Sequence, residues 1–274
     1  MKFFNFIPLS VHCWGGLGSQ LYALSTAHDL KLKFPKRRVK LVLHTDGVTE
    51  RFSELDFVKD LDFKLIQIND FQLQDKEYKN QVKSFRVSVK KLLIKILYSL
   101  KFIVTANSNL EFNKVRAWTI STRGHYVNRK VSPSFYFNLL KYIEIEKKPN
   151  NRRQFEIALH YRMGDLLNLG TKSITPTSKI IDVISQVKKS NNNFSITVYS
   201  DSPQIAKAAL LNAGLTDSLI VKDLSTIDVI RACIGADYFI GTGSKVSLWI
   251  VNIRRYLGET NNNFLEGFDD ELFE

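Results

Sequence analysis

Only two cysteines stand in the 274 residues, Cys13 and Cys233, and they lie far apart. That excludes a disulfide framework and a zinc-binding cysteine cluster, and points to a reducing compartment. Six prolines and thirteen glycines are too few for a fibrous or low-complexity chain. No run of about 18 uncharged apolar residues occurs, so no segment is expected to span a bilayer. The apolar opening Met1–Pro8 is too short for a secretory signal, and no small-residue cleavage site follows it. The protein is therefore expected to be soluble or peripheral. Acids are scarce beside bases: 27 Asp and Glu against 39 Lys and Arg give a net charge of +12. Five of those acids crowd into Glu266–Glu274, which has no base, and setting their charge aside leaves +17 on the rest. A basic body suits nucleic acid, an anionic membrane or phosphorylated small molecules, and charge alone does not choose.

What is present is enough apolar residue (44%) for one large core or two small ones. Two units of about 130 residues are the natural division of this length. The second half alternates strand and helix signals. Strands are expected at Phe155–Tyr161, Phe194–Ser200, Ser218–Val221 and Tyr238–Gly241, and helices at Thr177–Ser190, Pro203–Ala213, Ser225–Gly235 and Ser244–Tyr256. In the Thr177–Ser190 segment Ile180, Ile181, Val183, Ile184 and Val187 recur at helical spacing. Such alternation means βαβ units and a parallel, doubly wound sheet. The first half reads the same way less sharply, with strands at Phe6–His12, Val39–His44 and Phe63–Ile68 and a helix at Gln20–Leu32. Residues 83–101 carry six bases and no acid. Lys91, Lys95 and Ser99 fall on one face there and Leu92, Leu93, Ile96, Leu97 and Leu100 on the other, an amphipathic helix. The polar stretch Glu146–Arg153 reads as a linker, which sets domains at 1–150 and 151–274 with a cleft between two α/β halves.

Open parallel sheets bind ligands beyond the carboxyl ends of their strands. Four expected strand ends carry glycine-rich or polar segments: Trp14-Gly15-Gly16-Leu17-Gly18-Ser19-Gln20, His160-Tyr161-Arg162-Met163-Gly164-Asp165, Ser200-Asp201-Ser202-Pro203, and Gly241-Thr242-Gly243-Ser244-Lys245. The first is no dinucleotide fingerprint, because Leu21 stands where the third glycine belongs, and no P-loop, because no Gly-Lys-Ser/Thr follows. Its glycines also fit a plain strand-to-helix turn. Asp201 fits a helix cap as well as a ligand contact. Thr242, Gly243 and Ser244 open a helix whose N–H groups suit a phosphate. Arg162, at a strand mouth near Gly164, suits a fixed cation for a diphosphate, or else braces a loop through Asp165.

Together these segments resemble the α1,2-fucosyltransferases and, more distantly, the α1,6- and protein O-fucosyltransferases. His160-x-Arg162-x-Gly164-Asp165 matches their His-x-Arg-Arg-Gly-Asp hallmark, and Gly15-Gly16-Leu17-Gly18-Ser19-Gln20-Leu21 their Gly-Gly-Leu-Gly-Asn-Gln-Leu. Ser200–Pro203 matches a Ser-Asp-Asp-Pro segment, and Thr242–Trp249 the closing Ser-Asn-Ser-x-Phe-Ser-Trp-Trp. Met163, Ser19 and Leu248 depart from the family's Arg, Asn and Trp, and Met163 is expected to remove one cation from the donor site. The resemblance implies a GT-B-like fold of two Rossmann-like domains, with parallel sheets facing a central cleft. It implies an acceptor-side domain first and a nucleotide-sugar domain second, and inverting transfer of fucose from GDP-fucose without a metal or other cofactor. Arg162 would then face the donor diphosphate, His160 and Asp201 lie near the guanosine, and Ser244 and Ser247 line the phosphate side. Gly15, Gly16, Gly18 and Gln20 would form the cleft turn of the first domain. The acceptor would be a glycan or lipid-linked glycan of a bacterial surface polysaccharide, reached from the cytoplasm or the inner face of the membrane.

Asp46, after the Val39–His44 strand, is the candidate general base. Asp60-Leu61-Asp62 has metal-binding form but precedes an expected strand instead of ending one, which speaks against a manganese-dependent site. A silent nucleotide-sugar binder, motivated by Met163, is the first competing reading. A nucleic-acid binder is the second; the bases lack interleaved aromatics and no DNA-reading motif occurs, so no nucleic-acid partner is expected. Lys90, Lys91, Lys95 and Lys101 nominate an anionic membrane as a partner.

Overall fold

The computed structural model describes residues 6–45, 50–59, 63–69, 85–145, 154–164, 166–169, 174–190, 193–215 and 219–265. The chain divides into two compact units, Met1–Tyr142 and Ile143–Glu274. The linker expected at Glu146–Arg153 lies wholly outside the described residues, as do Asp46 and Asp60-Leu61-Asp62.

The first unit runs β1 (Leu9–Trp14), α1 (Leu17–Lys33), β2 (Val39–His44), β3 (Lys64–Ile68), α2 (Phe85–Ser99), β4 (Ile103–Thr105), α3 (Asn109–Asn113), β5 (Ser121–Arg123) and α4 (Pro133–Ile143). Its sheet is wholly parallel in the order β3-β2-β1-β5-β4. Strand β1 begins at Leu9, later than the apolar run suggests, because Pro8 has no N–H to give a ladder. The shift carries the strand on to Trp14. Leu9, Val11 and Cys13 then enter the core while Ser10, His12 and Trp14 share the other, half-buried face.

The second unit runs β6 (Phe155–His160), α5 (Leu166–Leu169), α6 (Thr177–Ser190), β7 (Phe194–Tyr199), α7 (Pro203–Asn212), β8 (Leu219–Lys222), α8 (Thr226–Ile234), β9 (Tyr238–Thr242), α9 (Lys245–Tyr256) and β10 (Asn262–Leu265). Here too every pairing is parallel, in the order β10-β9-β6-β7-β8. Ile180, Val183, Ile184 and Val187 of α6 pack with Ile157, Leu159, Ile196 and Val198 of β6 and β7 into one core. Buried Arg254 reaches the carbonyls of Cys233, Ile234 and Ala236, satisfying the orphan end of α8.

In both sheets the first strand of the unit is central. Successive strands build outward on one side of it, and the chain then crosses to the other side. The strand order therefore reverses beside β1 and β5 in one unit and beside β6 and β9 in the other, which is where α/β sheets place their ligands. No described helix is long and apolar enough to cross a membrane.

Candidate functional site

The reversal point of the second unit brings the expected segments together. Arg162 leaves the end of β6, and its backbone N–H donates to Thr242 Oγ1 at 2.9 Å. The same hydroxyl donates to the carbonyl of His160 at 3.0 Å, so Thr242 stitches the ends of β6 and β9. Arg162 Nε lies 3.3 Å from Asp201 Oδ2. Asp201 Oδ1 accepts the backbone N–H groups of Met163 and Gly164, both at 2.9 Å. One carboxylate thus holds the 161–164 loop and orients the arginine. A Cβ at Gly164 would sit 2.2 Å from Asp201 Oδ2, so this close approach requires glycine. Asp201 pairs with Arg162, and the pairing expected with Asp165 falls on a residue outside those described.

His160 and Ser247 are buried, at 7% and 0% exposure. His160 Nδ1 and Ser247 Oγ are 2.7 Å apart. Ser244 caps α9, its Oγ accepting the Ser247 N–H at 3.0 Å while its hydroxyl donates to Ser247 Oγ at 3.1 Å. These two side chains lock the start of α9 onto β6, and Arg162, Asp201 and Ser244 are the more exposed groups around them. Burial, then the nearby Arg162 cation, lower the His160 pKa to about 4, with Asp201 opposing, so its imidazole is neutral at physiological pH. Gly243 is buried too, its N–H reaching Thr175 Oγ1 at 3.5 Å, and the Tyr161 hydroxyl donates to the Thr175 carbonyl at 3.1 Å. Thr175 carried no sequence signal, because it precedes α6 in a loop and meets β9 only through the fold. Alongside, Pro203, Gln204, Lys207, Val221 and Asp223 line a groove by α7 and β8.

Met163, which stands where the resembled family has a second arginine, takes a packing role. Its side chain is 5% exposed and belongs to the hydrophobic core, among Leu159, Tyr161 and Ile180. Trp249 is likewise a fully buried core residue.

The glycine-rich turn of the first unit is filled by the protein itself. Gln20 is 1% exposed; its amide donates to the carbonyls of Gly15 and Phe52 at 3.1 and 2.8 Å and accepts the Glu54 N–H at 2.9 Å. Glu54 Oε1 in turn accepts the Leu17 N–H at 2.9 Å, placing a carboxylate at the positive end of α1. Gly15 adopts φ +104°, and a Cβ on Gly16 would stand 3.0 Å from Glu54 Oε1. Gly18 lies buried in the first turn of α1. Gln20 and the Gly15–Gly16 turn therefore hold the 50–55 segment, and the Glu54 side chain already caps that helix N-terminus.

A second group of polar side chains, unmarked by any motif, stands beside this turn. His12 Nδ1 and His44 Nε2 are 2.8 Å apart. Trp14 and His44, Cα partners in the β1–β2 register, stack at 4.4 Å between centroids and 7° between planes. The His12 and His44 rings are 5.2 Å apart. Burial first, then His44 and Arg123, lower the His12 pKa to about 4. Arg123 ends β5, and its Nε is buried with no hydrogen-bond partner among the described residues. Only strand pairing brings these four residues to one place.

Among the described residues no group of three or more His, Cys, Asp or Glu side chains is placed to hold a metal ion. No family model matches the chain, and no curated protein does. Solved structures of similar shape include a glycosyl transferase family 9 protein from Veillonella parvula, at 10% identity and TM-score 0.48 over 97% of this chain and 88% of that one. The heptosyltransferase WaaC of E. coli, solved with ADP, matches at 11% identity and TM-score 0.46 over 94% and 93% of the two chains. POFUT1 in complex with GDP matches at 12% identity and TM-score 0.42 over 96% and 99%. At these identities and scores the likenesses leave the chemistry to be read from the chain's own residues.

Proposed function

We propose that this protein is an inverting glycosyltransferase that moves fucose from GDP-fucose to a hydroxyl of a glycan acceptor. The observation that carries the reading is Arg162, held by Asp201 at the mouth of β6 and tied by its backbone to Thr242 just before α9. A fixed guanidinium near a capped helix N-terminus suits the diphosphate of a sugar nucleotide. As the glycosidic bond to the β-phosphate breaks, negative charge gathers on the leaving GDP, and these groups stabilise it without a metal. Asp201, with both oxygens engaged, serves as a positioning residue. The choice of fucose and guanosine rests on the four motif segments and their order. The silent sugar-nucleotide binder motivated by Met163 is the competing reading, and it predicts GDP-fucose binding without transfer.

Thermal stabilisation by a panel of nucleotides and nucleotide sugars, followed by transfer from radiolabelled GDP-fucose with excess chelator present, tests the reading. GDP and GDP-fucose should raise the melting temperature most, and transfer should persist in chelator. No stabilisation by any guanosine diphosphate would overturn it.

The acceptor belonging to this reading is a surface-polysaccharide or lipid-linked glycan, met at the inner face of an anionic membrane. Leu92, Leu93 and Ile96, in the second half of α2, and Leu100 just beyond it are 45–59% exposed, and Lys95 is exposed beside them. Exposed apolar side chains within a wholly basic segment fit reversible interfacial binding, each basic residue adding about 1 kcal/mol near an anionic surface. Flotation with anionic liposomes should recover the protein at low salt and lose it at high salt, and neutral liposomes should not recover it.

A further inference from the structure

The end of α2 carries a small cavity with cations at its rim. The helix closes in a two-bond cap: the Phe102 N–H donates to the Leu97 carbonyl at 2.9 Å and the Lys101 N–H to that of Tyr98 at 3.1 Å. Such a cap needs a left-handed residue, most often glycine, and here Lys101 takes the position at φ +60°. The turn is pinned from outside as well. Trp118 Nε1 donates to the Leu100 carbonyl at 3.1 Å, and the Thr119 hydroxyl to that of Lys101 at 2.8 Å. Beside the turn opens a cavity of about 350 Å³, lined by Tyr98, Ser99, Lys101, Thr105, Glu111 and Lys114 together with the rest of β4. Among the described strands β4 is an edge, so its outer backbone groups face no further strand. Glu111, the one acid of the lining, turns Oε2 to the N–H groups of Asn107 and Ser108 at 2.7 and 3.3 Å. Lys101 and Lys114 are exposed, and neither ammonium meets a carboxylate among the described residues. Two ammonium groups and three hydroxyl-bearing side chains around one small cavity match a phosphate dianion. Leu100, 55% exposed, immediately precedes Lys101, and Ile96, one turn earlier, is 45% exposed. Apolar side chains that close to the cations suit a phosphate attached to acyl chains better than a free one.

We propose that this cavity holds the headgroup of a phosphomonoester lipid, with Lys101 and Lys114 on the phosphate and Ile96 and Leu100 among the acyl chains. The inference deepens the membrane reading by giving it one defined headgroup site, and it rests on that reading for the membrane. Flotation of the full chain with phosphatidylcholine vesicles carrying phosphatidic acid or phosphatidylglycerol, matched in zeta potential, tests it. The wild type should bind the phosphatidic acid vesicles about tenfold more tightly. Lys101→Gly and Lys114→Gln should each abolish that preference, whereas Lys95→Gln should weaken binding to both vesicles alike. Glycine suits the left-handed position, so Lys101→Gly should melt at or above the wild-type temperature, and its loss of preference is then not a loss of fold. Equal wild-type binding to the two vesicles, or a preference that survives both substitutions, overturns the site and leaves the membrane reading standing. Stabilisation by glycerol 3-phosphate that Lys101→Gly removes, without a vesicle preference, makes the cavity a soluble-phosphate site and overturns the lipid assignment. Absence of flotation with either vesicle overturns the membrane reading and the headgroup site together.

Discussion

The two units place a histidine and an arginine at the same point of the same kind of sheet, and surround them differently. His12 stands two residues before the end of β1 and His160 ends β6; each has its pKa lowered to about 4 chiefly by burial, and each feels a nearby arginine. In the second unit the histidine is tied to a serine and the arginine to an aspartate, with backbone N–H groups filling the remaining valences. In the first unit the histidine is tied to another histidine and stacked with a tryptophan. Hydroxyls, a helix start and a braced cation gather at one reversal point, and three flat rings at the other. One topology thus carries two different sets of side chains at its reversal point.

The sharpest way to break this comparison is Arg162→Ala. Loss of the cation facing the developing diphosphate charge should cost roughly 3–4 kcal/mol, about 100- to 1000-fold in transfer rate, with an unchanged circular dichroism spectrum. Near-normal turnover would remove Arg162 from the donor site.

Next in size is acid destabilisation. His160 stays neutral in the folded chain down to about pH 4, whereas an unfolded histidine takes its proton near 6.5. The unfolded state therefore binds more protons between those values, and stability present above pH 6.5 is lost as pH falls through the window, by about 3 kcal/mol at most. His160→Gln should flatten the fall of melting temperature from pH 6.5 to 4. His12 acts in the same direction, so a residual slope is expected in the variant.

The smallest effect sharpens the contrast between turn and site. Gln20→Ala leaves the carbonyls of Gly15 and Phe52 and the Glu54 N–H without their partner, costing about 1–3 kcal/mol of stability. GDP stabilisation should be unaffected. A variant of full stability that had lost nucleotide binding would overturn the clamp role of Gln20.

Some of this was legible beforehand. The Thr177–Ser190 helix follows from isoleucines and valines at helical spacing, and β2 from a compact apolar run, because local periodicity governs both. The strands β4, β5 and β10 escaped notice. Three or four residues carry no periodicity, and Asn262–Leu265 is half polar; they are strands because a neighbouring strand offers its ladder. The periodicity of residues 91–100 sorted side chains into two faces, yet burial of one face needs a covering partner, and Leu92 and Leu93 remain exposed.

The site divides along the same line. Sequence by itself determined that two parallel α/β units would form and that Arg162, Asp201 and Ser244 would stand at strand ends, since strand–helix alternation dictates where the chain turns. Only the tertiary structure decided that Asp201 would brace Arg162, that Met163 would point into the core, and that His160 and Ser247 would be buried. It alone turned Gln20 into a loop clamp and gathered His12, Trp14, His44 and Arg123 from three strands. The reason is physical: backbone periodicity acts within a few residues, whereas a hydrogen bond between side chains tens of residues apart exists only once parallel strands have fixed their register.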